Sequence, residues 1–176
     1  MKLIILDRDG VINEDTPHYI KSAEEWRPIP GSLEAIAKLN HAGYTVIIAT
    51  NQSGIGRGYF DVEALDEMHA KMQRELAKIG GKIDHIYFCP HTPDDNCDCR
   101  KPKTGMFEQI MHDYGLRDLK GVINVGDALR EIQVGQIFDC RNILVLTGKG
   151  QKTLQDNPDI SAEIFQDLAA LVNSLV

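Results

Sequence analysis

The run Leu3-Ile4-Ile5-Leu6-Asp7-Arg8-Asp9-Gly10 passes directly from four branched aliphatic residues to two aspartates and a glycine. Its length and composition are those of a buried parallel strand. Open α/β sheets place their ligands at the carboxyl ends of such strands. Carboxylates two residues apart point to opposite sides of an extended strand, but a turn between them can bring both to one metal or phosphate. The plain alternative is a strand end with solvated aspartates and a turn glycine. The residues downstream decide between the two.

Working outward, Val11 to Pro30 is polar and lacks a clean period, which predicts a loop or short flap over the end of the first strand. Its aromatic residues Tyr19 and Trp26 have the bland reading of anchors to the body. Gly31-Ser32 opens an amphipathic helix that Gly43 ends, and Tyr44 to Ala49 forms a second strand running into Thr50-Asn51-Gln52-Ser53. Gly54, Gly56 and Gly58 punctuate a loop leading to Asp61, a good N-cap for a helix over 62–79. Ile83 to Phe88 is a third strand, followed by an irregular segment to Lys103. Thr104 is placed to cap a helix ending near Gly115. Val122 to Val125 is a fourth strand ending in Gly126-Asp127. A helix over 129–138, a strand over 142–146 and a final helix over about 161–176 complete the chain. Strands alternating with helices imply a parallel sheet with right-handed crossovers.

At 176 residues the chain can bury a full core as one domain. No apolar run approaches the roughly 18 residues that span a bilayer. No signal peptide is expected, because cleavage would remove Asp7 and Asp9. The net charge of −7 argues against a nucleic-acid partner, whose binders carry a basic face. It leaves small phosphorylated substrates open, since local Lys and Arg can hold them. Four cysteines, three of them close together, do not resemble a secreted disulfide framework, and a cytoplasmic monomer is expected.

In a parallel sheet the strand ends share one edge. Asp7 and Asp9, Thr50 and Asn51, Asp127, and the segment bearing Arg100, Lys101 and Lys103 can therefore converge. Acidic oxygens on that edge suit a hard cation such as Mg²⁺. A hydroxyl, an amide and cations suit the oxygens of a transferring phosphoryl group. A strand-end carboxylate can act as nucleophile where metal and lysine offset its repulsion from phosphate. Separately, Cys89-Pro90-His91 and Cys97-Asp98-Cys99 form Cys-x-His, five residues, then Cys-x-Cys. Three sulfurs and one imidazole match a closed structural Zn²⁺ site, with a zinc loop at 89–99. Such a site would organise the segment that carries Arg100 and Lys101.

Asp7-Arg8-Asp9-Gly10, Thr50-Asn51, Arg100-Lys101-Pro102 and Gly126-Asp127 resemble the four ordered motifs of the haloacid dehalogenase (HAD) superfamily. The longer runs Asp-Arg-Asp-Gly-Val-Ile-Asn, Thr-Asn-Gln-Ser-Gly-Ile-Gly-Arg-Gly and Cys-Asp-Cys-Arg-Lys-Pro are similar to the heptose-bisphosphate phosphatases within it. The related histidinol-phosphate phosphatases share these signatures. The resemblance implies a three-layer Rossmann-like fold over 1–176, a central parallel sheet with helices on both faces, and no large cap. It implies Mg²⁺-dependent removal of the 7-phosphate from a heptose 1,7-bisphosphate, in ADP- or GDP-heptose synthesis for lipopolysaccharide or surface polysaccharide. By the same resemblance Asp7 attacks phosphorus, and Asp9 protonates the leaving oxygen and then deprotonates water. Asp7, the Asp9 carbonyl and Asp127 hold Mg²⁺; Cys89, His91, Cys97 and Cys99 hold Zn²⁺. Thr50 and Lys101 stabilise the phosphoryl oxygens and Arg100 recognises substrate.

Several points stay open in the sequence. The motif favours Lys101, and Lys103 is the alternative. Ala128 stands where the heptose phosphatases carry Lys. Glu131 stands where many superfamily members have a second Asp, and reads equally as metal support or as a helix surface residue. With no large cap, selectivity falls to loops around Asp15, Ser53 and Arg100, with Asn51 and Gln52 beside them. Asp15 reads as a hydroxyl ligand or as a solvated acid, and His18 as a flap residue at the surface. The spacing Gly54-x-Gly56-x-Gly58 departs from the dinucleotide fingerprint, and no acid ends the next strand. A non-catalytic zinc-loop binding protein on the same scaffold would have to lack a catalytic group, yet Asp7, Asp9, Thr50 and Asp127 are all present.

Overall fold

A computed structural model describes residues 1–176. Its core is a six-stranded sheet built from β1 (Leu3–Leu6), β2 (Thr45–Asn51), β3 (His85–Cys89), β4 (Ile123–Gly126), β5 (Arg141–Val145) and β6 (Glu163–Phe165). All neighbours pair in parallel, in the spatial order β3-β2-β1-β4-β5-β6. The chain moves from β1 outward to β3, then returns across β1 to place β4 on its other side. Connections leaving β1 and β4 therefore diverge, and a crevice opens at the carboxyl ends of these strands.

Pleating sorts the strand residues into two cores. Ile4, Leu6, Val46, Ile48, Val125, Ile143 and Val145 pack on one side, against α1 (Ser32–His41), α3 (Val62–Ala77) and α7 (Leu168–Leu175). Leu3, Ile5, Ile47, Ala49 and Tyr87 pack on the other, against α4 (Gly105–Asp113) and α5 (Leu129–Ile137). This is why β1 is apolar on both faces and shows no alternation. The expected three-layer α/β architecture with helices on both faces is the one observed. Asp61 caps α3 by accepting from the Ala64 amide at 2.8 Å. Thr104 sits before α4 but makes no side-chain cap bond; the Gly105 amide instead donates to the Asp98 carbonyl at 2.8 Å.

Three segments differ from the sequence expectation. The glycine-punctuated run contains a short helix, α2 (Ser53–Gly56), and its Gly56 amide donates to the Pro90 carbonyl at 2.9 Å. A Cβ on Gly56 would stand 2.7 Å from that carbonyl oxygen, so glycine permits the contact with the zinc-loop segment. Within that segment Pro93–Asp95 forms one 3₁₀ turn. The C-terminal region is not one helix but α6 (Gly150–Asp156), the edge strand β6 and then α7, with Asp167 accepting from the Ala170 amide as its cap. Residues 11–30 form an irregular flap, as expected. Its Trp26 is fully buried, and Lys71 of α3 donates to the Ala23 and Trp26 carbonyls at 2.7 Å each. No helix is long and apolar enough to cross a membrane.

Candidate active site

A polar cavity of about 190 Å³ opens at the carboxyl edge of the sheet, and all but one of its lining residues are non-hydrophobic. Asp7 and Asp9 after β1, Thr50 and Asn51 at the end of β2, Gln52 and Ser53 just beyond it, Arg100 from the zinc-loop segment, Asp127 after β4 and Asp15 of the flap all line it. The expected convergence of strand ends is thus present.

The floor is a buried ionic cluster. Lys101 Nζ lies 3.3 Å from Asp7 Oδ1 and 3.4 Å from Glu131 Oε1, and donates to the Ala49 carbonyl at 2.6 Å. Asp7, Asp127 and Glu131 each offer an oxygen within 4.8 Å of the others. Glu131 is 1% exposed, so it belongs to the cluster rather than to the helix surface. The two lysines also separate: Lys103 Nζ donates to the Cys97 carbonyl at 2.5 Å and is remote from the carboxylates.

The cluster is short of positive charge. Burial, only partly offset by Lys101, pushes the Asp7 carboxyl up to about 7. Burial and the neighbouring Asp7 push Asp127 up to about 8, although the Lys149 amide donates to its Oδ2 at 2.9 Å. Glu131 resists the same burial because Lys101 and Arg130 hold it below the usual carboxylate range. Its second oxygen is buried without a hydrogen-bond partner. Three acidic side chains, one an orphaned acceptor, fit a hard divalent cation in this crevice. Gly10 makes room for the approach: at φ +83° its missing Cβ would collide with Asp127 Oδ2.

Asp9 is held differently. Its Oδ1 accepts from Arg8 Nε at 2.9 Å, Arg8 Nη2 at 2.7 Å and Asn13 Nδ2 at 2.9 Å. Its Oδ2 accepts only from Gln52 Nε2, at 3.2 Å. Burial would raise this carboxyl, but the Arg8 guanidinium and the hydrogen bonds outweigh it and hold the group below its ordinary value. Gln52 Nε2 also reaches Thr50 Oγ1 at 3.1 Å. Asn51 clasps the Lys101 backbone from both ends, donating to its carbonyl at 3.1 Å and accepting from its amide at 3.0 Å. These two amides, expected as substrate contacts, line the cavity and also bond the Lys101 backbone, Asp9 and Thr50.

The cations at the rim were largely missed in the sequence. Arg57, Arg130 and Lys149 line the cavity together with Arg100, and Thr16, Pro17 and Tyr19 of the flap complete its wall. Asp15 is there as expected: it accepts from the Thr16 amide at 2.9 Å and lies 3.9 Å from Lys149 Nζ. His18 is exposed and does not line the cavity. Ala128 is buried at the start of α5, and Arg130, two residues on, supplies a cation to the rim. The available signals were Arg57 inside the glycine run and Lys149 in the short connection after β5.

The cysteine and histidine side chains converge as one group. Cys89 Sγ is 3.5 Å from His91 Nδ1 and 3.6 Å from Cys97 Sγ, and His91 Nδ1 is 3.3 Å from Cys99 Sγ. Cys89 and Cys99 are closer, at 2.8 Å. A donor set of three sulfurs and one ring nitrogen, all within 4.8 Å, fits tetrahedral zinc with bonds of roughly 2.0–2.3 Å. Cys140 stands apart from the group, and burial pushes its thiol up to about 12.

A parallel sheet with two carboxylates at the end of its first strand, a hydroxyl, a lysine and a further acid at the following ends defines a HAD-type phosphatase. Residues 2–162 match the family described as polynucleotide kinase 3 phosphatase. The D-glycero-β-D-manno-heptose-1,7-bisphosphate 7-phosphatase of Pseudomonas aeruginosa is 52% identical over 174 residues, 99% of this chain and 97% of that protein. The protein of the same name from Pseudomonas putida is 50% identical over the full length of both. The crystal structure of D,D-heptose 1,7-bisphosphate phosphatase from B. bronchiseptica, complexed with magnesium and phosphate, superposes with a TM-score of 0.95 at 50% identity. The match covers 99% of this chain and 98% of that one. The chain belongs to this heptose-bisphosphate phosphatase family of the HAD superfamily.

Proposed function

We propose that this chain removes the 7-phosphate of D-glycero-β-D-manno-heptose 1,7-bisphosphate through a phosphoryl ester on Asp7, acting as a cytoplasmic monomer in nucleotide-heptose synthesis. The observation that carries the reading is Lys101 Nζ, buried between Asp7 and Glu131 at the floor of a cavity rimmed by Arg57, Arg100, Arg130 and Lys149. A nucleophilic carboxylate needs nearby positive charge before a phosphate dianion can approach it. Four further cations suit a substrate that carries two phosphates. The full-length match to relatives named for this substrate supports the sugar, and their names specify the β anomer.

In this reading Asp7 attacks phosphorus in line with the departing C7 oxygen, and Lys101 and the Thr50 hydroxyl stabilise the equatorial oxygens. Asp9 gives its proton to the leaving oxygen and afterwards takes one from the attacking water. Its Oδ2 is the oxygen for this work, because Oδ1 already accepts three hydrogen bonds. The phosphate's own negative charge raises Asp9 from its depressed resting value and helps it take up the proton to be delivered. Arg100, Asp15 and Ser53 meet the sugar and its second phosphate, while Asn51 and Gln52 fix Lys101 and Asp9. Asp7, Asp127 and the Asp9 carbonyl would hold Mg²⁺, which supplies positive charge against the phosphoryl oxygens. Cys89, His91, Cys97 and Cys99 would hold Zn²⁺, a closed structural set that fixes the loop before Arg100.

Phosphate release in Mg²⁺ from both heptose 1,7-bisphosphate anomers and from histidinol phosphate tests the reading. The β anomer should give the highest kcat/KM, and Asp7→Asn should be inactive. Preference for histidinol phosphate would overturn the substrate, and inactivity toward all three would favour a binding protein on the same scaffold.

A further inference from the structure

Behind Asp9, on the side away from the cavity, the structure holds a second polar layer that the reaction scheme does not use. Arg8 is fully buried. Its Nε and Nη2 face Asp9 Oδ1, while Nη1 lies 3.2 Å from His69 Nε2 and 3.5 Å from Met68 Sδ. His69 is 8% exposed on the inner face of α3, sixty-one residues from Arg8 in sequence. Burial first, and then the Arg8 guanidinium, hold its imidazole down at about 3, so the ring is neutral. A guanidinium only donates. The Nε2 facing it must therefore be the accepting nitrogen, and the proton sits on Nδ1.

We propose that His69 is a positioning residue for the Asp9 proton transfer: it fixes Arg8, and Arg8 in turn fixes which Asp9 oxygen faces the cavity. Three donors occupy Oδ1, two of them from the one planar group that His69 orients. Free rotation of Arg8 would loosen both bonds together and let the carboxylate turn, mixing the reactive Oδ2 with its bound twin. Proton delivery depends on heavy-atom separations near hydrogen-bond length, so such rotation costs rate without affecting substrate affinity. The proposal rests on the assignment of Asp9 as proton carrier.

The test compares His69→Leu, His69→Gln and Asp9→Asn on two substrates, reading kcat/KM so that only steps up to departure of the leaving group count. Heptose 1,7-bisphosphate has an alkoxide leaving group that needs a proton; p-nitrophenyl phosphate does not. Asp9→Asn should lose about 10²–10⁴-fold on the sugar and far less on the aryl ester. His69→Leu should show the same selectivity with about a tenfold loss on the sugar. His69→Gln, whose amide oxygen can accept from Arg8, should restore most of it. Equal losses on both substrates in His69→Leu, or no rescue by Gln in a protein that melts like the wild type, would overturn the proposal. If Asp9→Asn itself shows no discrimination between the substrates, the assignment of Asp9 fails first and takes the role of His69 with it.

Discussion

At the scale of single residues, the placement of the two lysines decides between chemistries that the sequence left open. Lys101 is buried, has two carboxylate neighbours and is tethered by Asn51; Lys103 is exposed and bound to a loop carbonyl. Replacing Lys101 with Met removes the only ammonium on the cluster floor. Turnover should fall by at least about 10²–10³-fold, the loss expected for a preorganised group that stabilises developing negative charge. Lys103→Met should stay within about twofold of the wild type, as surface changes remote from a site do. Circular dichroism in Mg²⁺ should show both variants folded; near-normal turnover by Lys101→Met would transfer the role to Lys103. Glu131 extends the same logic. One carboxylate oxygen answers Lys101 and Arg130, and the other has no partner, so the residue is suited to balance charge around a cation rather than to decorate a helix.

At the scale of elements, the connection between β3 and α4 determines where two cations stand. Cys99 directly precedes Arg100 and Lys101, and the Gly56 amide ties α2 to the Pro90 carbonyl at the start of the same loop. Chelating the zinc proposed for this loop, with Mg²⁺ then restored, or making Cys97→Ser, should therefore reduce kcat/KM by about 10–100-fold, the range seen when groups that orient a site are removed. The sheet should persist, with far-ultraviolet dichroism nearly unchanged; full activity in protein verified zinc-free would sink the dependence. This loop was legible in sequence because its three cysteines and histidine are close in the chain and chemically distinctive. The strands β1 and β2 were legible too, since burial on both faces leaves runs dominated by aliphatic residues. The C-terminal region was not: β6 has only three residues, mostly exposed on an edge, and the alternation that marks a strand cannot develop over that length. His69 was hidden for another reason. On α3 it has the spacing of an ordinary stripe residue, and only the tertiary fold brings it to Arg8. Arg57, Arg130 and Lys149 come from three separate connections, so no local pattern could group them.

At the scale of the whole molecule, the carboxylate cluster couples stability to pH and, with the proposed metal, to Mg²⁺. Asp7 and Asp127 are raised to about 7 and about 8 in the folded state, mainly by burial, against a value near 4 in the unfolded chain. Between those values the folded protein binds more protons than the unfolded chain. Metal-free stability should therefore fall as pH rises from about 4 to 8, less steeply below about 6.5, where His69, held at about 3, contributes in the opposite sense. Asp9 and Glu131 are shifted downward, so their stabilising contributions are lost only as pH falls below about 4, outside that window. Mg²⁺ held by the ionised carboxylates, as proposed above, would reverse the decline, because a ligand that prefers the folded state stabilises it according to its concentration over Kd. The metal competes with protons at Asp7 and Asp127, so its effect should be larger at pH 8 than at pH 6. Thermal melts across this range, with and without millimolar Mg²⁺, provide the measurement. The metal-free midpoint should drop toward pH 8, and the Mg²⁺-induced rise should grow over the same interval. Asp127→Asn removes one titrating group and should flatten both trends, whereas a variant that retains the full pH slope would place the responsible acid elsewhere.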